Sequence, residues 1–447
     1  MSSKKYFGTD GVRGHVGGEF MNPLILKKLG WAIGSVLVSE SADKPLVLIG
    51  RDTRESGELL QSALQEGLWL AGVNIALLGI LSTPAIAYFT KKLSAHAGIV
   101  ISASHNPYED NGVKMIGQNG LKLSDEWEFN VEKKMSDALP DNFFEKKMTV
   151  IKDPTTDYIA HCVTLFSEPL DLKNYKLIID CANGATFNTA PIVFKELSAH
   201  VTAIHATPNG KNINDQCGAT DLSSLISYVL KEKADCGIAL DGDGDRLMMV
   251  DHLGEVVDGD EILAILALYD RKYPAIVGTL MSNLGLEKAI KSHGMQFERV
   301  AVGDRYVLAK LQEKNWTLGG EGSGHIVNLK YSTTGDGVVT AMQVLRIMQQ
   351  THQSLHELKK IMQKRPQILM NVSVQNPYLF YTLPEISEAV SAAEKKLGDS
   401  GRVLLRASGT ESCVRVMVEG DDATEVRAIA ESLVEVVTLG FLKCVSH

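Results

Sequence analysis

Three times along this chain a short apolar, strand-forming run leads through a turn into a helical stretch, then a second strand, then a third strand that ends in an unusual loop. The first copy places its strands at residues 46–49, 73–78 and 98–102, the second at 177–179, 200–204 and 237–240, the third at 275–277, 297–300 and 316–318. Short buried strands alternating with helical segments predict βαβ units and mainly parallel sheets. Ligands in such sheets bind beyond the carboxyl ends of the strands, where the loops 102–107, 241–246 and 319–325 follow. The tail breaks the pattern. Strands are expected at 368–374, 402–405 and 414–418, then a helix with Asp422 and Glu425 as a capping pair and Val426, Ile429, Leu433 and Val436 on one face. The expected fold class is therefore α/β, three related α/β domains with mainly parallel mixed sheets plus a smaller C-terminal α+β domain. The boundaries are 1–150, 151–257, 258–368 and 369–447. Two other patterns carry no function: Val338, Met342, Leu345 and Met348 recur as a helical core face, and Glu132-Lys133-Lys134 reads as a solvated surface.

Composition excludes several classes. With 45 Lys and Arg against 54 Asp and Glu, the net charge is −9, so no broad basic face is available for nucleic acid or an anionic membrane. Local Arg and Lys can still bind a small anion. The cysteines Cys162, Cys181, Cys217, Cys236, Cys413 and Cys444 form no CxxC pair and read as reduced thiols. No apolar run follows the first residues, so a secretory signal is not expected. The most apolar stretch, 68–81, is broken by Gly72, Asn74 and Gly79 and falls short of the roughly 18 apolar residues of a membrane span. A cytoplasmic protein is expected.

The chemistry lies in four loops. Asp241-Gly242-Asp243-Gly244-Asp245-Arg246 sets three carboxylates at alternate positions directly after an apolar strand. Converging carboxylates repel, so a cation or dense hydrogen bonding must compensate. An EF-hand calcium loop fails, because its sixth position is Arg246 and its twelfth is His252. Magnesium suits a few carboxylates plus a substrate phosphate. Ser102-Ala103-Ser104-His105-Asn106-Pro107 is hydroxyl-rich and is not the GxSxG elbow of serine hydrolases. A serine carrying phosphate opposite a carboxylate-bound Mg²⁺ makes a coherent phosphoryl-transfer centre, and Lys114 can supply a cation or a proton. The glycine-rich run 319–325 offers Glu321, Ser323 and His325 to a polyol. Arg406-Ala407-Ser408-Gly409-Thr410-Glu411, with Arg415 beyond it, has the makings of an anion cradle.

Together, in order and spacing, these loops resemble the α-D-phosphohexomutase family over essentially the whole chain. The resemblance implies four domains around a central cleft, and Ser104 as a phosphoserine. It implies a Mg²⁺ held by Asp241, Asp243, Asp245 and the serine phosphate. It implies that Asp304, Arg305, Glu321 and Ser323 bind the sugar, that Arg406, Ser408, Gly409, Thr410 and Arg415 bind phosphate, and that Arg13, Lys114, Arg246 and His325 surround the transferring group. The segments 7–14 (Phe-Gly-Thr-Asp-Gly-Val-Arg-Gly) and 208–221 (Pro-Asn-Gly-Lys-Asn-Ile-Asn-Asp-Gln-Cys-Gly-Ala-Thr-Asp) look like the bacterial phosphoglucosamine mutase branch. Two residues depart from it: Gly322, where that branch usually carries a larger residue, often Gln, and Ser412, which replaces the usual Pro.

The implied reaction interconverts glucosamine 6-phosphate and glucosamine 1-phosphate through a 1,6-bisphosphate and feeds UDP-N-acetylglucosamine synthesis. The expected partners are the phosphosugar and its bisphosphate, with no nucleic acid or membrane, in a monomer or homodimer. The same mechanism on glucose or mannose phosphates, a phosphatase that hydrolyses the phosphoserine, and a non-catalytic phosphosugar-binding protein are the alternatives.

Overall fold

In a computed structural model the chain is described over residues 5–8, 10–140, 147–270, 272–408 and 412–445. It forms two compact units: residues 1–279 with 300–361, and residues 280–299 with 362–447.

The first repeat builds a six-stranded sheet in the larger unit. Its strands are β1 (Val12–His15), β2 (Leu46–Arg51), β3 (Asn74–Ile80), β4 (Ala97–Ile101), β5 (Asp110–Gly117) and β6 (Met148–Val150), in the order β1-β5-β4-β2-β3-β6. Strands β4, β2, β3 and β6 run parallel, while β5 turns back antiparallel to β4 and β1 antiparallel to β5. Helices sandwich the parallel strands, which is why β2 and β4 read as unbroken apolar runs: Val47, Leu48, Ile49, Ile99, Val100 and Ile101 are all fully buried.

The second repeat supplies β7 (Lys176–Asp180), β8 (His200–Ile204), β9 (Cys236–Leu240), β10 (Leu247–Asp251) and β11 (Val256–Val257), ordered β11-β10-β9-β7-β8. Strands β9, β7 and β8 are parallel, and β10 returns antiparallel to β9, so the aspartate loop is a hairpin connection at the carboxyl end of β9. From the third repeat, β12 (Ala275–Thr279) lies in the larger unit and β13 (Gln296–Val300) belongs to the smaller one except for its last residue. The larger unit continues with β14 (Leu318–Gly320), parallel to β12, and β15 (Ile326–Asn328), antiparallel to β14. The strand expected at 316–318 begins two residues later, because Trp316 is spent closing the preceding helix on Leu311 O. The helix Gly337–Thr351 buries Val338, Met342, Leu345 and Met348 as expected.

In the smaller unit β16 (Gln367–Ser373), β17 (Arg402–Ala407) and β18 (Cys413–Glu419) form an antiparallel sheet ordered β16-β18-β17. Residues 280–299 join it through the Leu284 amide, which donates to Glu419 (3.1 Å), and through Asn283, whose amide donates to Arg365 O (2.9 Å). The helix Ala423–Val445 starts on the expected cap, with the Glu425 amide donating to Asp422 Oδ1 at 2.8 Å. Glu132, read from sequence as surface, instead accepts the backbone amides of Lys5, Tyr6 and Phe7 and anchors the N-terminal segment.

Candidate active site

Three repeats end their strands at one place in the larger unit. Ser104 follows β4, and Asp241, Asp243 and Asp245 occupy the β9–β10 turn. Lys114 lies on β5 and Arg13 on β1, while His325 precedes β15. Ser104 is 1% exposed and stands at φ +51°, a left-handed conformation that costs a residue of this kind about 1–3 kcal/mol and persists only where surroundings over-determine it. Its Oγ donates to Asp241 Oδ2 at 2.6 Å.

The three aspartates are buried, with ligand oxygens that lie within 4.8 Å of one another. Lys114 Nζ reaches Asp243 (2.7 Å), Asp245 (3.2 Å) and Asp10 (3.1 Å), and Thr83 Oγ1 donates to Asp243 at 2.6 Å. The Arg246 amide donates to Asp241 Oδ1 at 3.1 Å. Two buried carboxylate oxygens, Asp243 Oδ1 and Asp245 Oδ1, find no hydrogen-bond partner among the described residues. Buried oxygens of this kind normally have a partner. An oxygen-only donor set with two orphaned acceptors beside a serine hydroxyl fits a hard divalent cation such as Mg²⁺.

The electrostatics match. Burial, then the charges of Asp245 and Asp243, push Asp241 well above the usual carboxylate range. Burial also acts on Asp245, but Lys114 and His325 overcome it and hold that carboxyl well below its usual range. Burial would deprotonate Lys114, yet Asp10, Asp243 and Asp245 hold it firmly protonated. His325 is buried beside Asp245 and Asp304, at 3.6 Å from each, and these carboxylates outweigh desolvation to lift it to about 9. His105 goes the other way: burial, then Arg246 and Arg13, lower it to about 4.

Of the remaining predicted residues in this unit, Asp304 contacts His325 and Lys122. Glu321 accepts the Gly303 amide at 3.0 Å and is tied to the His325 turn by its own amide. Ser323 is exposed on the same loop. A Cβ at Gly322 would stand 3.1 Å from Asp260 Oδ2, so the larger residue usual in this branch would press on that carboxylate. Arg305 is turned elsewhere, to Asp125 (2.5 Å) and Glu128 (2.9 Å) of the helix Asp125–Lys134.

In the smaller unit Arg406 and Arg415 stand directly opposite each other on β17 and β18. Burial, then the Arg415 charge, lower the Arg406 pKa. Like charges in cross-strand register are destabilising by themselves. Ser408 is buried, its amide donating to Cys413 O at 2.9 Å. Gly409 and Thr410 lie outside the described residues.

Sequence reasoning missed Asp10, which contacts Arg13, Lys114 and Lys122. It also missed Asp52, Arg54 and Asn214, which surround the serine loop. Asp10 and Asn214 sat inside the two segments singled out by resemblance. Asp52 and Arg54 sat just past the end of β2, where a ligand-facing loop is expected in an α/β sheet.

The sequence matches, in chain order, the phosphoglucomutase/phosphomannomutase alpha/beta/alpha domain I (4–140), domain II (156–254), domain III (258–365) and C-terminal domain (369–436). It is 52% identical over 438 residues to a phosphoglucosamine mutase of Coxiella burnetii, covering 96% of this chain and 98% of that one. The fold is similar to a phosphoglucomutase/phosphomannomutase family protein of Burkholderia thailandensis (TM-score 0.81, 22% identity, 98% of each chain). It is also similar to an Aspergillus fumigatus N-acetylphosphoglucosamine mutase solved with GlcNAc-6P and magnesium (TM-score 0.66, 16% identity, 98% of this chain and 96% of that one). The chain belongs to the phosphoglucosamine mutase branch of the phosphoglucomutase/phosphomannomutase family.

Proposed function

We propose that this chain interconverts glucosamine 6-phosphate and glucosamine 1-phosphate, with Ser104 as the phosphoryl carrier. The single observation behind this reading is the buried Ser104 hydroxyl at 2.6 Å from Asp241, beside two orphaned carboxylate oxygens. Asp241, Asp243, Asp245 and phospho-Ser104 would hold one Mg²⁺ per chain. When bound, the ion withdraws charge from the transferring phosphoryl group. In the forward half-reaction the bond from phosphorus to Ser104 Oγ breaks and a bond to the free sugar hydroxyl forms, giving a 1,6-bisphosphate. The bisphosphate turns end for end, and its other phosphoryl group returns to Ser104. Arg13 and Arg246 steady that group. The proton that the attacking hydroxyl loses ends on Ser104 Oγ as phosphorus leaves it, and Lys114 and His325 are the candidates to relay it, giving a proton to Oγ and taking one from the hydroxyl. Glu321, Ser323 and Asp304 recognise the sugar, and Arg406, Ser408, Gly409, Thr410 and Arg415 hold the phosphate that is not reacting. In this reading the chain has four domains, 1–150, 151–257, 258–368 and 369–447, each carrying one of these loops.

The family relation and the sugar phosphate in a related mutase support the substrate class. The reading keeps the cytoplasmic location, on the buried free thiols of Cys162, Cys181, Cys217 and Cys236. A mutase assay on glucosamine, glucose and mannose 6-phosphates tests the reading. The glucosamine substrate should be turned over fastest, with phosphate retained on Ser104 and none released. Equal use of all three sugars, or steady phosphate release, would favour a broader hexose mutase or a phosphatase.

A further inference from the structure

Ser104 does not hold its left-handed conformation alone. Its carbonyl accepts from Arg54 Nη2 at 3.0 Å and from Asn214 Nδ2 at 2.8 Å. The carbonyl of Asn106 accepts from the same two groups, at 2.8 Å and 3.0 Å. Arg54 Nη1 donates on to Pro107 O and to Asp110 O. Its Nε donates to Asp52 Oδ2 at 2.9 Å, which also accepts from Ser102 Oγ at 2.5 Å, and Ser102 Oγ accepts the Ser104 amide at 2.9 Å. Every guanidinium nitrogen of a side chain that is 1% exposed is thus directed at the serine loop or at the carboxylate that orients it.

Asn214 approaches from the second repeat. It is itself left-handed (φ +57°), and its amide donates to Ala182 O at 2.9 Å. Thr53 Oγ1 donates to Asn183 O at 2.6 Å and joins the Asp52–Arg54 turn to the loop after β7. The aspartate loop closes the third side: a Cβ at Gly242 would stand 2.6 Å from Ser104 O and 2.8 Å from Asn214 Nδ2, so only glycine lets the two loops meet.

A buried ion pair is a poor device for stability alone, and phosphoryl transfer depends on placement to within about an ångström. We propose that Arg54 and Asn214 are positioning residues. Together they clamp the carbonyls of Ser104 and Asn106 from two repeats, so that Ser104 Oγ is aimed at the aspartates. This inference rests on Ser104 being the phosphoryl carrier. It also assigns a role to the 208–221 segment, whose Asn214 reaches the carrier loop although the segment lies in another repeat.

The test uses the full chain. Asn214→Gly keeps the left-handed backbone and removes only the amide, and Arg54→Lys keeps the charge but cannot span the carbonyls. For Asn214→Gly, kcat should fall about ten- to a hundredfold with KM changed by less than about threefold. Single-turnover transfer from phospho-Ser104 should slow by the same factor, with the thermal midpoint near that of the parent. Arg54→Lys should be slower still; if it does not fold, Asn214→Gly decides alone. Parental kcat in Asn214→Gly, or a loss that appears mainly in KM or only with unfolding, would overturn the clamp. Ser104→Ala separates the two readings. If it is inactive while Asn214→Gly matches the parent, the clamp fails and the carrier stands. If it is fully active, the carrier assignment falls and takes the clamp with it.

Discussion

Strand β10 starts from one acidic cluster and ends at another. Before its first residue come Asp241, Asp243 and Asp245; at its last stands Asp251, with Glu255 and His356 close by. Each triple brings its candidate ligand atoms within 4.8 Å. The difference lies in what answers the charge. Asp251 Oδ1 accepts the amides of Leu253 and Glu255, both at 3.0 Å, and its Oδ2 meets His356 (2.9 Å) and Lys359 (2.8 Å). Both oxygens are satisfied by the protein, and Lys359 also reaches Glu255 at 2.6 Å. At the other end Lys114, Thr83 and, at 3.6 Å from Asp245 Oδ1, His325 answer part of the charge, and Asp243 Oδ1 and Asp245 Oδ1 remain without a hydrogen-bond partner among the described residues. Proximity of carboxylates therefore does not by itself point to a cation; what the first cluster adds is carboxylate oxygens left without a hydrogen bond among the described residues. Asp336 shows a third solution. It is buried and accepts from Tyr158 Oη and the Val339 amide, with no cation among these partners, and desolvation raises its pKa to about 6.

The contrast can be broken most directly at the first cluster. Asp243→Asn removes one member of the proposed metal set, and activity should fall by about two to three orders of magnitude or more, the scale of losing a preorganised electrostatic contact. EDTA should inhibit the parent enzyme, and excess Mg²⁺ should restore it. Mg²⁺ titrated into the protein by calorimetry should give a binding heat that Asp243→Asn loses. Activity indifferent to EDTA and to this substitution would remove the metal reading.

Next in size is the cross-strand pair of Arg406 and Arg415. Losing a charge-assisted phosphate contact costs about 1.5–3 kcal/mol, roughly ten- to a hundredfold. Arg406→Ala should weaken use of both the 1-phosphate and the 6-phosphate by that factor, because a guanidinium reads phosphate oxygens and not the carbon they hang from. Impairment with only one of the two would tie the loop to a single substrate orientation.

The other two variants should move stability and leave turnover alone. Asp336 has a folded pKa above its unfolded value, so the native state binds its proton more tightly. Stability from this group is present below about pH 4 and lost as the pH rises through about 6, a span worth about 2–3 kcal/mol. Asp336→Asn should flatten the urea-unfolding profile over that window, and an unchanged profile would mean that Asp336 ionises normally. Asp251 behaves oppositely: burial opposes its charge, but Lys359, the Glu255 amide and His356 outweigh that and lower its pKa. Its stabilisation is present above the ordinary carboxylate range and lost as the pH falls through the lower folded value. Asp251→Asn should cost about 1–2 kcal/mol at neutral pH, with the Mg²⁺ requirement untouched. A shifted Mg²⁺ requirement in that variant would show that the two ends of β10 are coupled after all.

Much of this was legible along the chain. The apolar runs of β2, β4, β7 and β9, the three loops at their carboxyl ends and the alternating aspartates are local patterns, set by side-chain periodicity and by glycine's backbone freedom, and they stand where the sequence puts them. The core face of the helix Gly337–Thr351 and the Asp422 cap are of the same kind. What only the tertiary structure decided is which distant groups meet. Lys114 and Asp243 are 129 residues apart, Ser104 and Asp241 are 137 apart, and Asn214 reaches Ser104 across 110. Arg54 drew no notice in the sequence and is fully buried in the fold, whereas Arg305, which the resemblance implied would bind the sugar, is paired with a helix. The grouping of residues 280–299 with the C-terminal strands is equally invisible to periodicity. The physical reason is the same in each case. Local sequence sets the backbone's choices within a few residues, but the partner of a buried charge is set by which strand ends the sheets bring together, and no nearest-neighbour pattern records that.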